Sequence, residues 1–247
     1  TEAFRANLIA RGIDAAKIVV VRNGVDLSRY APQARDVEFA RRFGVEDKFV
    51  IGYLGTHGMA HALPRVLEAA NLLRRRHDLH FLFIGAGAAR DALIARAREL
   101  ALDNVSFHAS VPKDDMPRAW SLCDVALIHL KDEPVFATVI PSKLFECFGM
   151  GVPVLFAGPE GEAAAIVRAT GSGLAVPAED PAALAAAITQ LADDRVALQS
   201  MAAASRRAAS ACDRGQLAQV MLAALESTVS PSARVEPATS RVSATPN

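Results

Sequence analysis

Six short apolar runs, VIGYLG, HFLFIGAG, VSFHAS, VALIHL, PVLFAG and GLAVP, recur through the middle of the chain, and each is continuous rather than alternating in polarity. An alternating strand has one wet face, whereas a strand that is apolar at consecutive positions is buried on both. Between the runs lie ALPRVLEAANLLRRR, ARDALIARARELA, DDMPRAWSLC, SKLFECFGMG and EAAAIVRATG, which repeat apolar residues at helical spacing. Strand and helix in this alternation specify an α/β chain with a Rossmann-like, doubly wound parallel sheet of about six strands. Pro181 to Asp194 and Arg195 to Ala211 continue as alanine-rich helices, and Arg214 to Ser227 reads as a last one. From Ser230 the chain is Pro, Ser, Thr, Ala and Arg without periodicity, the composition of a disordered tail.

The front of the chain does not fit that alternation. Residues 1 to 16 read as a helix and turn, and KIVVVRNGVDLSRYAP reads as a strand followed by an Asn-Gly turn and a proline-terminated loop. The charged helix DVEFARRFGV separates this strand from the sheet, so it is expected to belong to another structural unit.

Charge and cysteine content narrow the partners. Lys plus Arg and Asp plus Glu number 27 each, so net charge recruits neither a nucleic acid nor an anionic membrane, and phosphate recognition has to be local. Cys123, Cys147 and Cys212 form no CxxC pair, which argues against a disulfide framework or zinc site and for buried thiols in a reducing compartment. No apolar run approaches the ~18 residues of a spanning helix, and TEAFRANLIARG lacks the apolar core of a signal peptide. The chain therefore reads as soluble, with a membrane-surface partner still compatible.

In an open parallel sheet, ligands bind beyond the carboxyl ends of the strands, where helix N-termini favour anions. Four loops occupy such positions: GTHGMAH, GAGAAR, ASVPKDD and KDEPVFATVIPSK. In the first, Gly55 and Gly58 allow close backbone approach, and His57 or His61 can donate to a phosphate or sugar hydroxyl or be plain loop histidines. No third ligand accompanies the two histidines, so a metal is not expected. GAGAAR lacks the full dinucleotide fingerprint and reads equally as a tight strand-to-helix turn.

VIPSKLFECFGMGVPVL, residues 139 to 155, is richer. Pro141 suits a first helical position, and Gly149 and Gly151 are placed to close the helix before the next strand. Ser142 and Glu146 lie four apart, on one helix face, with Lys143 one step around. A hydroxyl and free amides at a helix mouth can meet a phosphate, while a carboxylate one turn deeper can accept both hydroxyls of a ribose. A nucleoside diphosphate asks for that arrangement, although a solvated helix position explains Glu146 equally well.

Taken in order, these segments resemble the C-terminal half of a GT-B retaining glycosyltransferase of glycosyltransferase family 4, group 1. VVVRNGVDLSRYAP is similar to the segment that joins the family's acceptor domain to its nucleotide domain. IPSKLFECFGMGVPVL resembles the helix that ends E-A-x-A-x-G-x-P-V, with Glu146 as the ribose-binding glutamate. GTHGMAHALPRVLEAA is closest to a WbuB-like branch of surface-polysaccharide sugar transferases.

The resemblance implies a nucleotide site made of Glu146, Ser142, Lys143, Ile140, Gly55, Thr56, His61, Gly85 and Gly87, with backbone near Val111 and Pro112 facing the base. It places Thr138 and Val139 at the donor sugar and assigns no catalytic nucleophile or base. It further implies a nucleotide-sugar donor, UDP-linked in this branch, no cofactor, and no nucleic-acid partner. Transfer would proceed with retention to a lipid-linked or saccharide acceptor held by an N-terminal domain largely missing here. A cytoplasmic enzyme, peripherally associated with the inner face of the membrane, is compatible with that role.

On this reading residues 1–32 are a remnant of the acceptor domain and linker, and 33–211 are the nucleotide-sugar domain. Residues 212–229 are a crossing helix and 230–247 a disordered tail. Two departures stand out. Thr138 occupies the position where relatives carry a glutamate toward the donor sugar. Thr56 and His61 stand where relatives hold the diphosphate with arginine and lysine, so Lys143, the amides around Val139 to Ser142, and His61 are the nominated replacements. The chain alone is expected to bind UDP weakly, to transfer nothing, and to expose Val19, Val21, Met221 and Leu222. Two rival readings are a UDP-N-acetylglucosamine 2-epimerase, which the NGVD and PSKLFE segments match poorly, and a non-catalytic nucleotide-sugar-binding module.

Overall fold

The continuous apolar runs become strands β1 (Phe49–Leu54), β2 (Leu79–Ile84), β3 (Val105–His108), β4 (Val125–His129), β5 (Val154–Ala157) and β6 (Gly173–Val176). The computed structural model describes residues 1–229 and joins these strands into one sheet of order β3-β2-β1-β4-β5-β6. Every pairing is parallel, from Phe49 opposite Leu79 to Ala157 opposite Val176. The chain order reverses between β1 and β4, the switch point at which the loops on either side diverge and leave a crevice. All residues of β1, β2, β4 and β5 are buried, and only the edge strands β3 and β6 are half-buried.

Ten α-helices accompany the sheet among the described residues: α1 (Glu2–Ala10), α2 (Val37–Phe43), α3 (Leu63–Leu72), α4 (Arg90–Glu99), α5 (Met116–Trp120), α6 (Lys143–Met150), α7 (Glu162–Thr170), α8 (Pro181–Asp193), α9 (Arg195–Ala209) and α10 (Arg214–Val229). Successive strand residues point to opposite faces. Val50 and Leu54 of β1 join Phe39, Trp120, Phe145 and Phe148 in one core. Ile51 and Tyr53 join Leu63, Leu67, Leu93 and Ile188 in the other. Each such aliphatic or aromatic side chain contributes about 1.5–3 kcal/mol when removed from water. Asp36, Asp180 and Asp194 cap the starts of α2, α8 and α9 with their carboxylates, and Gly44, Gly151 and Gly171 end α2, α6 and α7 in the left-handed region.

The front segment departs from the expected strand. Among the described residues Val19 to Val21 pair with no neighbour, and in this segment Val25 alone makes a bridge, to Asp213 at the foot of α10. There Val25 N donates to Cys212 O at 2.9 Å and Arg214 N donates to Val25 O at 2.9 Å. A strand needs a ladder partner, and the sheet's own edges are β3 and β6, on neither of which this segment lies. Val19, Met221 and Leu222 are exposed as expected, but Val21 is half-buried.

Two details of α6 also differ. Pro141 precedes the helix instead of opening it, because Ser142 is the N-cap and Lys143 the first helical residue. Gly149 lies inside α6 rather than closing it; a Cβ there would come within 2.9 Å of the Tyr30 carbonyl oxygen, so the glycine admits the incoming chain. Cys123 and Cys147 are buried free thiols, while Cys212 is only half-buried. The expected tail from residue 230 lies outside the described residues.

Candidate nucleotide-binding site

Because all the strands run the same way, the loops after β1, β2, β3 and β4 meet along one edge of the sheet, beside the start of α6. Backbone hydrogen bonds knit the first three. Gly55 N donates to Ile84 O at 2.9 Å, His57 N to Ala86 O at 2.8 Å, and Gly85 N to His108 O at 3.0 Å. This approach explains two of the glycines. A Cβ on Gly85 would stand 1.8 Å from Gly55 O, and one on Gly87 would stand 2.4 Å from His57 O. Gly85 and Gly87 thus turn the space where a side chain would be toward the neighbouring loop.

Lys143 ties the two sides of the crevice together. It opens α6, whose apolar residues belong to one core, yet its Nζ lies 3.8 Å from the ring centroid of Tyr53, which belongs to the other. A Cβ on Gly55 would stand 3.5 Å from that nitrogen. The Nζ is sealed from solvent and has no hydrogen-bond partner among the described residues. Burial lowers its pKa from 10.5 to about 8, with Cys147 and Glu146 acting in the opposite direction. Tyr53 is itself anchored by its hydroxyl, which donates to Thr56 O at 2.8 Å, and Thr56 is exposed at the mouth.

His61 and His129 fasten the first and fourth loops reciprocally. His61 Nδ1 lies 3.2 Å from His129 O, and His129 Nδ1 lies 2.8 Å from His61 O. A carbonyl only accepts, so both Nδ1 atoms carry the proton, and His61 Nε2 is left without a partner among the described residues. Burial and the charge of Lys143 hold the His61 pKa below its usual value. His57 turns inward instead of facing a ligand. It is fully buried among the rings of Tyr53, Phe83 and Phe107, both its nitrogens lack partners, and burial lowers its pKa to about 4.

Glu146 lies one turn along α6. Its Oε2 accepts the indole N–H of Trp120 at 2.9 Å. Burial raises its pKa, and the indole hydrogen bond, Lys143 and Arg214 act against that rise. Ser142 is exposed, and its hydroxyl caps nothing. Among the described residues the amides of Ile140, Ser142 and Lys143 have no acceptor. Val139 N, by contrast, donates to Phe136 O at 3.3 Å, so the expected row of free amides begins at Ile140.

Thr138 uses its hydroxyl locally, donating to Val135 O at 2.7 Å, and its carbonyl accepts Thr1 Oγ1 at 3.0 Å. Val111 packs against the core and Pro112 is exposed with its carbonyl accepting Asp115 N at 3.0 Å, on the separate loop after β3.

The structure therefore places Gly55, His61 and Glu146 around Lys143, with Ser142 next to it in the chain and Thr56 tied to the adjoining Tyr53, and leaves Val111 and Pro112 on a neighbouring loop. Sequence reasoning missed Tyr53, Trp120 and Arg90. Arg90, at the start of α4, has a buried Nε without a partner among the described residues, and its charge adds to the burial that lowers the pKa values of His57 and His108. GAGAAR carried that signal in its last residue. A mouth with an unpartnered ammonium and free helix-end amides attracts an anion, and Glu146 adds an acceptor one turn away. Among the described residues, no group of three or more His, Cys, Asp or Glu is placed to hold a metal ion, and no helix is long and apolar enough to cross a membrane.

The family model described as "Glycosyl transferases group 1" matches residues 48–194. The chain is 28% identical over 180 residues to the probable glycosyltransferase WbjE of Pseudomonas aeruginosa, covering 72% of this chain and 44% of that protein. It is 31% identical over 210 residues to a glycogen synthase of Mycobacterium tuberculosis, covering 79% and 45%. It thus spans about half the length of the curated relatives it matches. The crystal structure of Anabaena HepE in complex with UDP-glucose superimposes with a TM-score of 0.80 at 21% identity, over 92% of this chain and 62% of that one. At that identity the likeness is one of fold, a Rossmann-like sheet matching those of GT-B glycosyltransferase structures.

Proposed function

This chain belongs to the glycosyl transferases group 1 family, and on that premise we propose that it is the donor-binding part of an enzyme that moves a sugar from a UDP-linked donor to an acceptor. The observation that carries the reading is Lys143: a sealed ammonium without a partner, at the mouth of α6, one turn from the Glu146 carboxylate. An unpaired buried charge is costly, and a diphosphate beside it offsets that cost. The complexes of HepE with UDP and UDP-glucose support the choice of nucleotide.

In this reading the diphosphate sits against Lys143 and the free amides of Ile140, Ser142 and Lys143, with Thr56, the Ser142 hydroxyl and His61 Nε2 on its flanks. Gly55, Gly85 and Gly87 shape the loops that leave room for it. Glu146 accepts the ribose hydroxyls, the loop at Val111 and Pro112 faces the base, and Thr138 and Val139 border the sugar. As the bond to the sugar breaks, negative charge grows on the diphosphate, and preorganised cations and helix-end amides stabilise it without rearranging. Retention of configuration and a lipid-linked or saccharide acceptor at the cytoplasmic face of a membrane follow from the family resemblance, and a role in surface or extracellular polysaccharide assembly from the resemblance of GTHGMAHALPRVLEAA to the WbuB-like branch. Assignment of acceptor recognition to a second domain is supported by the coverage of the relatives. Residues 33–211 would then hold the donor, 1–32 and 212–229 would link to that domain, and the chain alone would bind UDP without transferring sugar.

Isothermal titration with UDP tests the reading. Wild type should bind, and Glu146→Ala should weaken binding at least about tenfold, the scale of a lost hydrogen bond to a charged group. Unchanged binding by the variant would remove Glu146 from the site, and absence of binding by wild type would remove the nucleotide.

A further inference from the structure

The Glu146 carboxylate is held from behind, by the core, rather than from the crevice. Trp120 ends the short helix α5, is fully buried, and donates its indole N–H to Glu146 Oε2 at 2.9 Å. The helix carrying it is anchored on its other side. Arg118 Nε donates to Asp36 Oδ2 at 2.7 Å, and Arg118 Nη2 to Glu38 Oε2 at 2.6 Å. Asp36 in turn caps α2 by accepting Phe39 N at 2.9 Å. Ser121, next to the tryptophan, donates to Arg118 O at 2.6 Å and accepts Asp36 N at 3.1 Å. The indole is therefore buried in a close-packed core, on a helix held by the Arg118 ion pairs to Asp36 and Glu38.

That leaves Glu146 with one oxygen committed and one open. Oε1 makes no hydrogen bond among the described residues, while the indole N–H fixes the plane of the carboxylate through Oε2. An ionised carboxylate offers about four lone-pair positions, so a single buried donor sets its orientation without using up its capacity.

We propose that Trp120 is the positioning residue for nucleotide recognition: it aims Glu146 Oε1 at the ribose hydroxyls and so sets the preference for ribonucleoside over dideoxyribonucleoside diphosphates. This rests on the nucleotide reading above and adds to it a residue that touches no substrate. A freed carboxylate would sample other rotamers, and each hydrogen bond to the ribose would have to re-order it. Contacts to the base and diphosphate would be untouched.

The test compares UDP with 2′,3′-dideoxy-UDP by titration calorimetry on the full chain. Trp120→Phe keeps an aromatic ring in the core and deletes the donor. UDP affinity should fall about tenfold while dideoxy-UDP affinity stays within about twofold, so that the ratio collapses. A ratio equal to that of wild type, or an equal loss for both nucleotides, overturns the proposal, because general loosening of the fold would weaken both alike. Trp120 is the only tryptophan of the sequence, so a nitrogen-labelled chain gives one indole signal without any substitution in the core. That signal should move on adding UDP, should stay in place with dideoxy-UDP, and should move in Glu146→Gln without ligand. An indole signal indifferent to bound UDP and to Glu146→Gln overturns the proposal even if Trp120→Phe fails to fold. Wild type that binds neither nucleotide is the separate outcome in which the nucleotide reading fails and this inference falls with it.

Discussion

The ammonium of Lys143 lies 3.8 Å from the centre of the Tyr53 ring, sealed from solvent and without an acceptor among the described residues. The lysine crosses from a helix on one face of the sheet to an aromatic residue of the opposite core, over the switch point between β1 and β4. The charge is thus held buried and unpaired beneath the crevice, at the expense of the fold's own stability.

Lys143 should make UDP binding weaken with alkaline pH. Its pKa in the free protein is about 8, and a diphosphate bound beside it would raise that value. Below the free value the lysine is already charged and affinity is full. Above it, binding must take up a proton. Affinity should therefore drop about tenfold between about pH 7.5 and about pH 9. Lys143→Met should bind more weakly throughout and lose this dependence, as calorimetry at several pH values would show.

The same substitution should stabilise the unliganded protein. A lysine whose folded pKa lies below its unfolded value destabilises the fold below the folded pKa, and that penalty is relieved as pH rises from about 8 to 10.5. Near neutral pH, Lys143→Met should gain roughly 2 kcal/mol in urea denaturation, somewhat less than the ~3 kcal/mol equivalent of the shift because the cation–π contact is lost with the charge.

Gly85→Ala and Gly171→Ala should separate close approach from backbone freedom. A methyl at Gly85 meets Gly55 O at 1.8 Å, whereas nothing lies within 4 Å of one at Gly171, where φ is +66°. The first should cost about 3 kcal/mol or more and disrupt UDP binding by displacing the β1 loop. The second should cost only about 1 kcal/mol, the penalty of a left-handed alanine, and leave binding intact.

Stability should fall steeply as pH drops from 6.5 toward 4. His57, His80 and His129 are buried, and burial lowers each pKa from 6.5 to about 4. Between those values the unfolded chain binds protons that the folded chain does not, so stability is lost on acidification and the loss levels off below the folded values. The three together give a slope approaching about 4 kcal/mol per pH unit, before carboxylates contribute. His57→Phe, in a pocket already lined by three aromatic rings, should reduce that slope by one proton in denaturant titrations at stepped pH.

Much of this architecture is legible in the residues because burial on both strand faces leaves a continuous apolar run, and helix ends carry local chemistry. VIGYLG and HFLFIGAG become neighbouring central strands, and Gly151 closes α6 in the left-handed conformation the chain order requires. The spacing of Ser142, Lys143 and Glu146 is likewise local, set by the helical period. KIVVV misleads for the complementary reason: β-branched residues state a preference, but a strand exists only where a ladder partner lies alongside, and none does among the described residues.

The sequence by itself determined the alternation of strand and helix, the parallel sheet and the placing of a hydroxyl, a cation and a carboxylate at one helix mouth. Only the tertiary structure decided what each of those groups faces. Lys143 meets Tyr53, Glu146 meets an indole 26 residues earlier in the chain, Gly85 and Gly87 give way to a neighbouring loop, and His57 turns into the core. Periodicity records which residues leave water. Which partner they meet is set by strand register and by packing across the sheet, and neither is written in the spacing of any single segment.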